Sequence, residues 1–258
     1  MTPAESNFEL AGAKIQLLKA GAGRPLLILH HDVGNHGWLP FYEDLARDFT
    51  VYVPSHPGFG KSDRLDWMRT VRDLAIFYGH FVDRLKLEPA VMVGLGFGGW
   101  IAAEMAMMCQ HRLSHLVLAG AMGMQPARGE ICDQFLVSTI DYLKLGFADE
   151  RWFAQLYSAE PDVDQLEQWE INREMSCRIA YKPYMFDQTL PHLIGGVSKP
   201  TLIVWGGEDR IVPPVCGEQY RDAIPGARLE VIAHCGHFIE VERAAELARL
   251  VRGFTARA

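Results

Sequence analysis

Twenty residues from Ala90 to Cys109, AVMVGLGFGGWIAAEMAMMC, carry a single ionisable side chain, Glu104, and four glycines in six positions. A stretch this apolar has few places to go in a water-soluble chain. It is long enough to cross a bilayer as a helix, but Gly94, Gly96, Gly98 and Gly99 interrupt it near its middle. A buried strand, a tight glycine turn and a buried helix account for the whole run, and no membrane partner is expected.

Apolar, β-rich runs recur on either side of it: Pro25–His30, Thr50–Val53, Leu116–Gly120, Thr201–Gly206 and Arg228–Ile232. Short runs that are apolar throughout are what strands covered on both faces look like, and the segments between several of them have helical spacing, as in Val71–Leu85 and Ile239–Phe254. That alternation predicts a parallel α/β sheet. Asn7–Leu10 and Ile15–Ala20 read as an opening antiparallel hairpin. Between Met124 and Lys199 the rhythm breaks into short amphipathic pieces, Ile131–Leu145, Arg151–Tyr157 and Val163–Glu174, with no strand-like run. Residues 124–199 are therefore expected to be a helical insertion in a core built from 1–123 and 200–258.

With 25 Lys and Arg against 32 Asp and Glu, the net charge of −7 is spread without a basic block, which argues against nucleic acid as a partner. Five cysteines without C-x-x-C spacing and a first ten residues lacking an export pattern predict a reducing, cytoplasmic setting.

Two motifs compete for the glycine turn. Gly94, Gly96 and Gly99 satisfy G-x-G-x-x-G, the dinucleotide fingerprint. That fingerprint needs an acid about 20 residues on to hold a ribose, and the next strand ends without one. Four strand candidates also precede a motif that normally opens its fold. The other reading is a nucleophile elbow, G-x-S-x-G, here Gly94-Leu95-Gly96-Phe97-Gly98.

With the elbow fixed there, the chain resembles the α/β-hydrolase superfamily over nearly its full length, near the cap-bearing C–C-bond, lactone and ester hydrolases. The resemblance rests on Leu26-Leu27-Ile28-Leu29-His30 before the oxyanion loop, and on His56-Pro57-Gly58-Phe59-Gly60-Lys61-Ser62-Asp63. It continues in Trp205-Gly206-Gly207-Glu208-Asp209 with Val212-Pro213-Pro214, and ends in His234-Cys235-Gly236-His237-Phe238. It implies an eight-stranded, mostly parallel sheet with helices on both faces, a helical cap, and Asp209 and His237 as acid and histidine, in the chain order this fold uses.

Two departures alter the implied chemistry. Gly96 stands where the family carries Ser, Cys or Asp, so a covalent acyl-enzyme at that position is excluded. The family's His-Gly is His30-His31, followed by Asp32, which puts a carboxylate near the place where an oxyanion would form. His30, His31, Asp32, the N–H of Phe97 and Trp100 are the candidate oxyanion and substrate contacts. The retained pair predicts a base, His237, oriented by Asp209 and acting through water in room left by Gly96, on a small, largely apolar ester, lactone or C–C substrate. Lyase or decarboxylase chemistry with Asp32 or His31 as partner, and a non-catalytic ligand binder, are the alternatives. No cofactor is expected. No metal is expected either, because His30 and His31 are strand neighbours that point to opposite faces. A homodimer is left open.

Overall fold

The computed structural model describes residues 2–157 and 160–256, so residues 158–159 of the expected insertion lie outside it. Eight strands form one sheet: β1 (Ala4–Leu10), β2 (Ala13–Ala20), β3 (Arg24–Leu29), β4 (Phe49–Pro54), β5 (Ala90–Leu95), β6 (Leu113–Ala119), β7 (Thr201–Gly206) and β8 (Arg228–Ile232). Their order is β1-β2-β4-β3-β5-β6-β7-β8. The β1–β2 hairpin and the β2–β4 pairing are antiparallel, and every later neighbour pair is parallel. From β3 the chain steps outward to β4 and then returns to the other side as β5. This reversal is a topological switch point, the place where loops leaving two adjacent parallel strands diverge and open a crevice.

Among the described residues ten α-helices complete the fold: α1 (Pro40–Leu45), α2 (Val71–Leu85), α3 (Phe97–Cys109), α4 (Thr139–Leu145), α5 (Arg151–Tyr157), α6 (Val163–Ala180), α7 (Leu190–Leu193), α8 (Val215–Ala223), α9 (Ile239–Glu242) and α10 (Ala244–Thr255). The strands are apolar throughout because alternate residues feed two separate cores. Leu27, Leu29, Met92, Leu116, Leu118 and Trp205 pack with α2, α3 and α8 on one face. Leu26, Ile28, Val91, Val93, Val117 and Val204 pack with α1 and α10 on the other. The run Ala90–Cys109 is β5, a turn at Gly96 and α3, and no helix among the described residues is long and apolar enough to cross a membrane. Its one ionisable group, Glu104, is buried and meets Arg72 at 3.3 Å.

Three boundaries differ from the sequence pattern. Only Thr139–Leu145 of Ile131–Leu145 is helical, begun by the Ser138 side chain accepting from Asp141 N–H. The residues before it bond to distant elements instead, Cys132 N–H to the Ile211 carbonyl and Gln134 N–H to the Tyr184 hydroxyl. The α6 helix runs past Glu174 to Ala180 because Met175, Ser176 and Ile179 are buried on its inner side. The closing segment breaks at Arg243 into α9 and α10.

The segment between β6 and β7 shares the core of the sheet: Tyr142, Leu143, Phe153, Trp169 and Met175 join the cluster that holds Leu27 and Leu29. Burial sets the expected cost of truncation. Ile28→Ala, at a site with no exposure, should lower unfolding free energy by about 2–5 kcal/mol. Leu136→Ala, at a residue 83% exposed, should stay within about 0.5 kcal/mol. Urea titration of both variants checks the contrast.

Candidate active site

The loops leaving β3 and β5 meet because Gly98, at the elbow between β5 and α3, carries no side chain. At Gly98 a Cβ would lie 2.1 Å from the Leu29 carbonyl oxygen, backbone against backbone, and the Gly98 N–H donates to the His30 carbonyl at 2.9 Å. Gly96 has φ +50°, a conformation that costs any other residue strain. A Cβ there would stand 2.2 Å from His31 Nδ1 and 2.9 Å from His237 Nε2. The room beside Gly96 that the sequence suggested for a water is thus filled by the His31 imidazole, swung in from the β3 loop.

Asp209 and His237 come together from the ends of β7 and β8. Asp209 Oδ1 accepts from the N–H groups of Ile211 and Val212, at 2.9 and 2.8 Å, and its Oδ2 lies 2.8 Å from His237 Nδ1. This fixes the carboxylate before it meets the imidazole. The His237 N–H donates to the Gly146 carbonyl at 2.7 Å, and the buried Glu242 carboxylate accepts from Gly236, Ala148 and Asp149, tying the histidine loop to the segment after α4. His237 Nε2 is buried, has no hydrogen bond, and points at the Gly96 and His31 side.

His30 and His31 diverge. His30 turns inward, its Nε2 accepting from His56 N–H at 2.9 Å. His31 lies edge-on to His237 with ring centroids 4.9 Å apart, and its Nε2 stands 3.1 Å from Glu240 Oε1. Asp32 has no exposed surface, and its Oδ2 accepts from Tyr142 at 2.8 Å and Gln134 at 3.4 Å. The α6 helix holds this loop from above through Ser176, which donates to the Asp32 carbonyl, and Asn172, which donates to that of Val33. Phe97 is the first residue of α3, where its N–H lacks an intrahelical acceptor, and Trp100 lies one turn on.

Three carboxylates and two imidazoles are therefore buried around one turn. Burial opposes charge on His237, but Asp209, aided by Asp32 and Glu240, outweighs it and leaves the pKa raised. Burial and then the neighbouring His237 charge hold His31 well below the ordinary histidine value. Burial raises Asp32, against the pull of His237 and Tyr142, and lifts Glu240 to about 6. None of the five cavities described is lined by Gly96, His31, Asp32 or His237. Trp100 borders one of about 460 Å³ with Arg72, Ile179 and Asp187. Another, of about 300 Å³, lies between the β3 loop and α5–α6 and is lined by Gln16, Asn35, His36, Gln168 and Asn172 among others. Its amides contrast with the largely apolar substrate expected from the sequence.

Glu240, Tyr142 and Gln134 were not singled out from the sequence. An acid three residues after His237, at the start of an apolar helix, is the one signal that could have marked Glu240. Tyr142 and Gln134 come from the insertion, where nothing in the pattern distinguishes them from packing residues.

A model of the alpha/beta hydrolase family matches residues 26–250, and the chain belongs to that family. It is 29% identical to the 2-hydroxymuconate semialdehyde hydrolase of Pseudomonas sp. (strain CF600), over 96% of this chain and 92% of that protein. It is 27% identical to the 2-hydroxy-6-oxo-6-phenylhexa-2,4-dienoate hydrolase of Burkholderia cepacia, over 96% and 93%. Among solved structures, a serine hydrolase involved in carbazole degradation superposes with a TM-score of 0.81 at 21% identity, covering all of both chains. A bacterial membrane phospholipase A gives 0.84 at 20% identity, over 99% of this chain and 87% of the other. At these identities the structural matches establish the fold.

The buried histidines near the site fix an acid response. Burial depresses His30 to about 3, His36 to about 4 and His56 well below its ordinary 6.5. Below pH 6.5 the unfolded chain therefore takes up protons that the folded chain refuses, so their stabilisation is complete above 6.5 and is lost as pH falls toward the folded values. Each contributes up to about 1.4 kcal/mol per pH unit. His31, depressed likewise, adds to these three, while Glu240, raised to about 6 from 4.5, and the raised Asp32, Glu104 and His237 work the other way. Unfolding free energy measured in denaturant should drop between pH 6.5 and 4.5; a flat or rising profile would contradict this account.

Proposed function

We propose that the chain is a hydrolase-type enzyme in which water attacks the substrate, activated at His237 under the orientation of Asp209, without a side-chain nucleophile. The supporting observation is the 2.8 Å contact between Asp209 and His237 Nδ1, with His237 Nε2 left unpaired and aimed at the elbow. An oriented base with a free nitrogen contributes roughly 10²–10⁴ in rate, enough for a substrate whose carbonyl is already reactive. The relatives named as hydrolases of semialdehydes and oxo-dienoates favour a small ester, lactone or C–C substrate activated by a ketone or aldehyde. In this reading residues 124–199 act as a helical cap over the core formed by 1–123 and 200–258, and the N–H of Phe97 serves a developing oxyanion.

A proton-transfer reaction of the lyase type is the second reading. It is favoured by one feature, the His31 Nδ1 standing where a nucleophile would be and facing His237 across the turn.

Turnover of a panel of short esters, lactones and vinylogous ketones separates these outcomes. On a hydrolysed substrate, His237→Asn should lower kcat/KM by about 10²–10⁴. The wild-type rate should rise with pH through a pKa above 6.5, as His237 gives up its proton. Unchanged turnover by a folded His237→Asn variant would overturn the proposal, and cleavage without uptake of solvent oxygen would transfer it to the lyase reading.

A further inference from the structure

The buried atoms around Gly96 that have no hydrogen bond include His31 Nδ1, His237 Nε2 and Asp32 Oδ1. They belong to the one group of three His, Cys, Asp or Glu residues, among those described, whose ligand atoms converge, one atom of each lying within 4.8 Å of the others. Polar atoms left buried and unpaired oppose folding, and a single occupant would satisfy all three. We propose that His31, His237 and Asp32 form a binding site for one divalent transition-metal ion held among their converging ligand atoms.

Four features of the site carry this. Two imidazoles and one carboxylate on one side of an ion, with the remaining positions open, are a donor set suited to zinc or the neighbouring first-row metals rather than to calcium or magnesium, which take oxygen ligands. Each imidazole also has a carboxylate behind it: Asp209 lies 2.8 Å from His237 Nδ1, and Glu240 lies 3.1 Å from His31 Nε2. A hydrogen-bonded carboxylate such as Asp209 fixes which nitrogen faces a metal and increases its basicity, while Glu240 approaches His31 at ion-pair distance without a hydrogen bond. The absent side chain at position 96 is the third feature. A Cβ there would fall 2.2 Å from His31 Nδ1 and 2.9 Å from His237 Nε2, so any other residue would stand in the seat. Metal–ligand bonds of about 2.0–2.2 Å need the three atoms to close by roughly an ångström from their present spread.

Charge is the fourth feature. Asp32, Asp209 and Glu240 are all buried within this cluster, against the two histidines. A dication offsets the surplus of negative groups at a position no lysine or arginine reaches in the hydrogen bonds and ion pairs described. The loop on which His31 and Asp32 lie is itself held rigid, by Ser176 and Asn172 from above and by Tyr142 on the second Asp32 oxygen. The sequence expectation that no ion binds rested on His30 and His31 as the ligand pair. The structure sends His30 to His56 and replaces it with His237, which is 206 positions from His31 in the chain.

This goes beyond the hydrolase reading. In the loaded protein His237 holds the ion instead of a proton, and Asp209 orients it in either state. The test is metal content rather than turnover. Full-length protein expressed with added Zn²⁺ and dialysed into metal-free buffer should retain about one zinc per chain by elemental analysis. Co²⁺ supplied instead should give a visible ligand-field absorption of low-coordinate nitrogen and oxygen ligation. Folded His31→Ala and the near-isosteric Asp32→Asn should each weaken Zn²⁺ at least 100-fold, and Glu240→Gln should weaken it about 10–100-fold through the ring it backs. Less than one-tenth of a zinc per chain with a silent cobalt spectrum would overturn the proposal, as would full affinity retained by both ligand variants. His237-dependent hydrolysis by protein that takes up less than one-tenth of a zinc per chain would overturn the metal site and leave the hydrolase reading intact. Stoichiometric zinc without turnover of any substrate would do the reverse.

Discussion

The close approach of the β3 and β5 loops at the elbow is the contact on which the site depends. Gly98 admits the Leu29 carbonyl to a distance no side chain tolerates, and Gly96 leaves space that the His31 ring takes up. A methyl group at either position would push the β3 loop away, and with it His31, Asp32 and the carbonyls that Ser176 and Asn172 hold. In most proteins glycine at a strained turn is explained by backbone freedom alone. At Gly96 the backbone requirement and the steric one coincide, because the φ of +50° and the contact with His31 Nδ1 each argue for the same residue.

The consequence is a family fold with its central position rebuilt. The strand order, the switch point between β3 and β5, and the loops after β7 and β8 bring Asp209 and His237 together beside the elbow. What they face is a second imidazole with its own carboxylate, and a third carboxylate anchored by Tyr142. The cluster is polar, interlocked and shut off from the cavities described. Desolvation makes each member sensitive to its neighbours, so the raised pKa of His237 and the depressed one of His31 are two sides of the same charge distribution.

Much of this was legible before any coordinates. The glycine-interrupted apolar run placed the β5–elbow–α3 unit, the repeated apolar runs placed the parallel sheet, and the chain order of elbow, Asp209 and His237 placed the pair. Those features are local, or follow from rules about how strands and helices alternate. The helix starts at Thr139 rather than Ile131 because the Cys132 and Gln134 N–H groups go to Ile211 and Tyr184, partners that lie about fifty to eighty positions away. Glu240, Tyr142 and Gln134 were invisible as site residues for the same reason: each acquires its role from a side chain brought near it by folding.

The sequence by itself determined the architecture, the glycine-rich turn between β5 and α3 and the order of that turn, Asp209 and His237 along the chain, since periodicity and glycine placement act over a few residues at a time. Only the tertiary structure decided what occupies the place of the missing side chain. Strand neighbours point to opposite faces, which separates His30 from His31. It takes the crossing of two loops at the sheet's switch point to set His31 against His237, and the helices between β6 and β7 to fasten Asp32 beside them. Distances of a few ångströms between residues two hundred positions apart are a property of the packed chain, and no pattern along it encodes them.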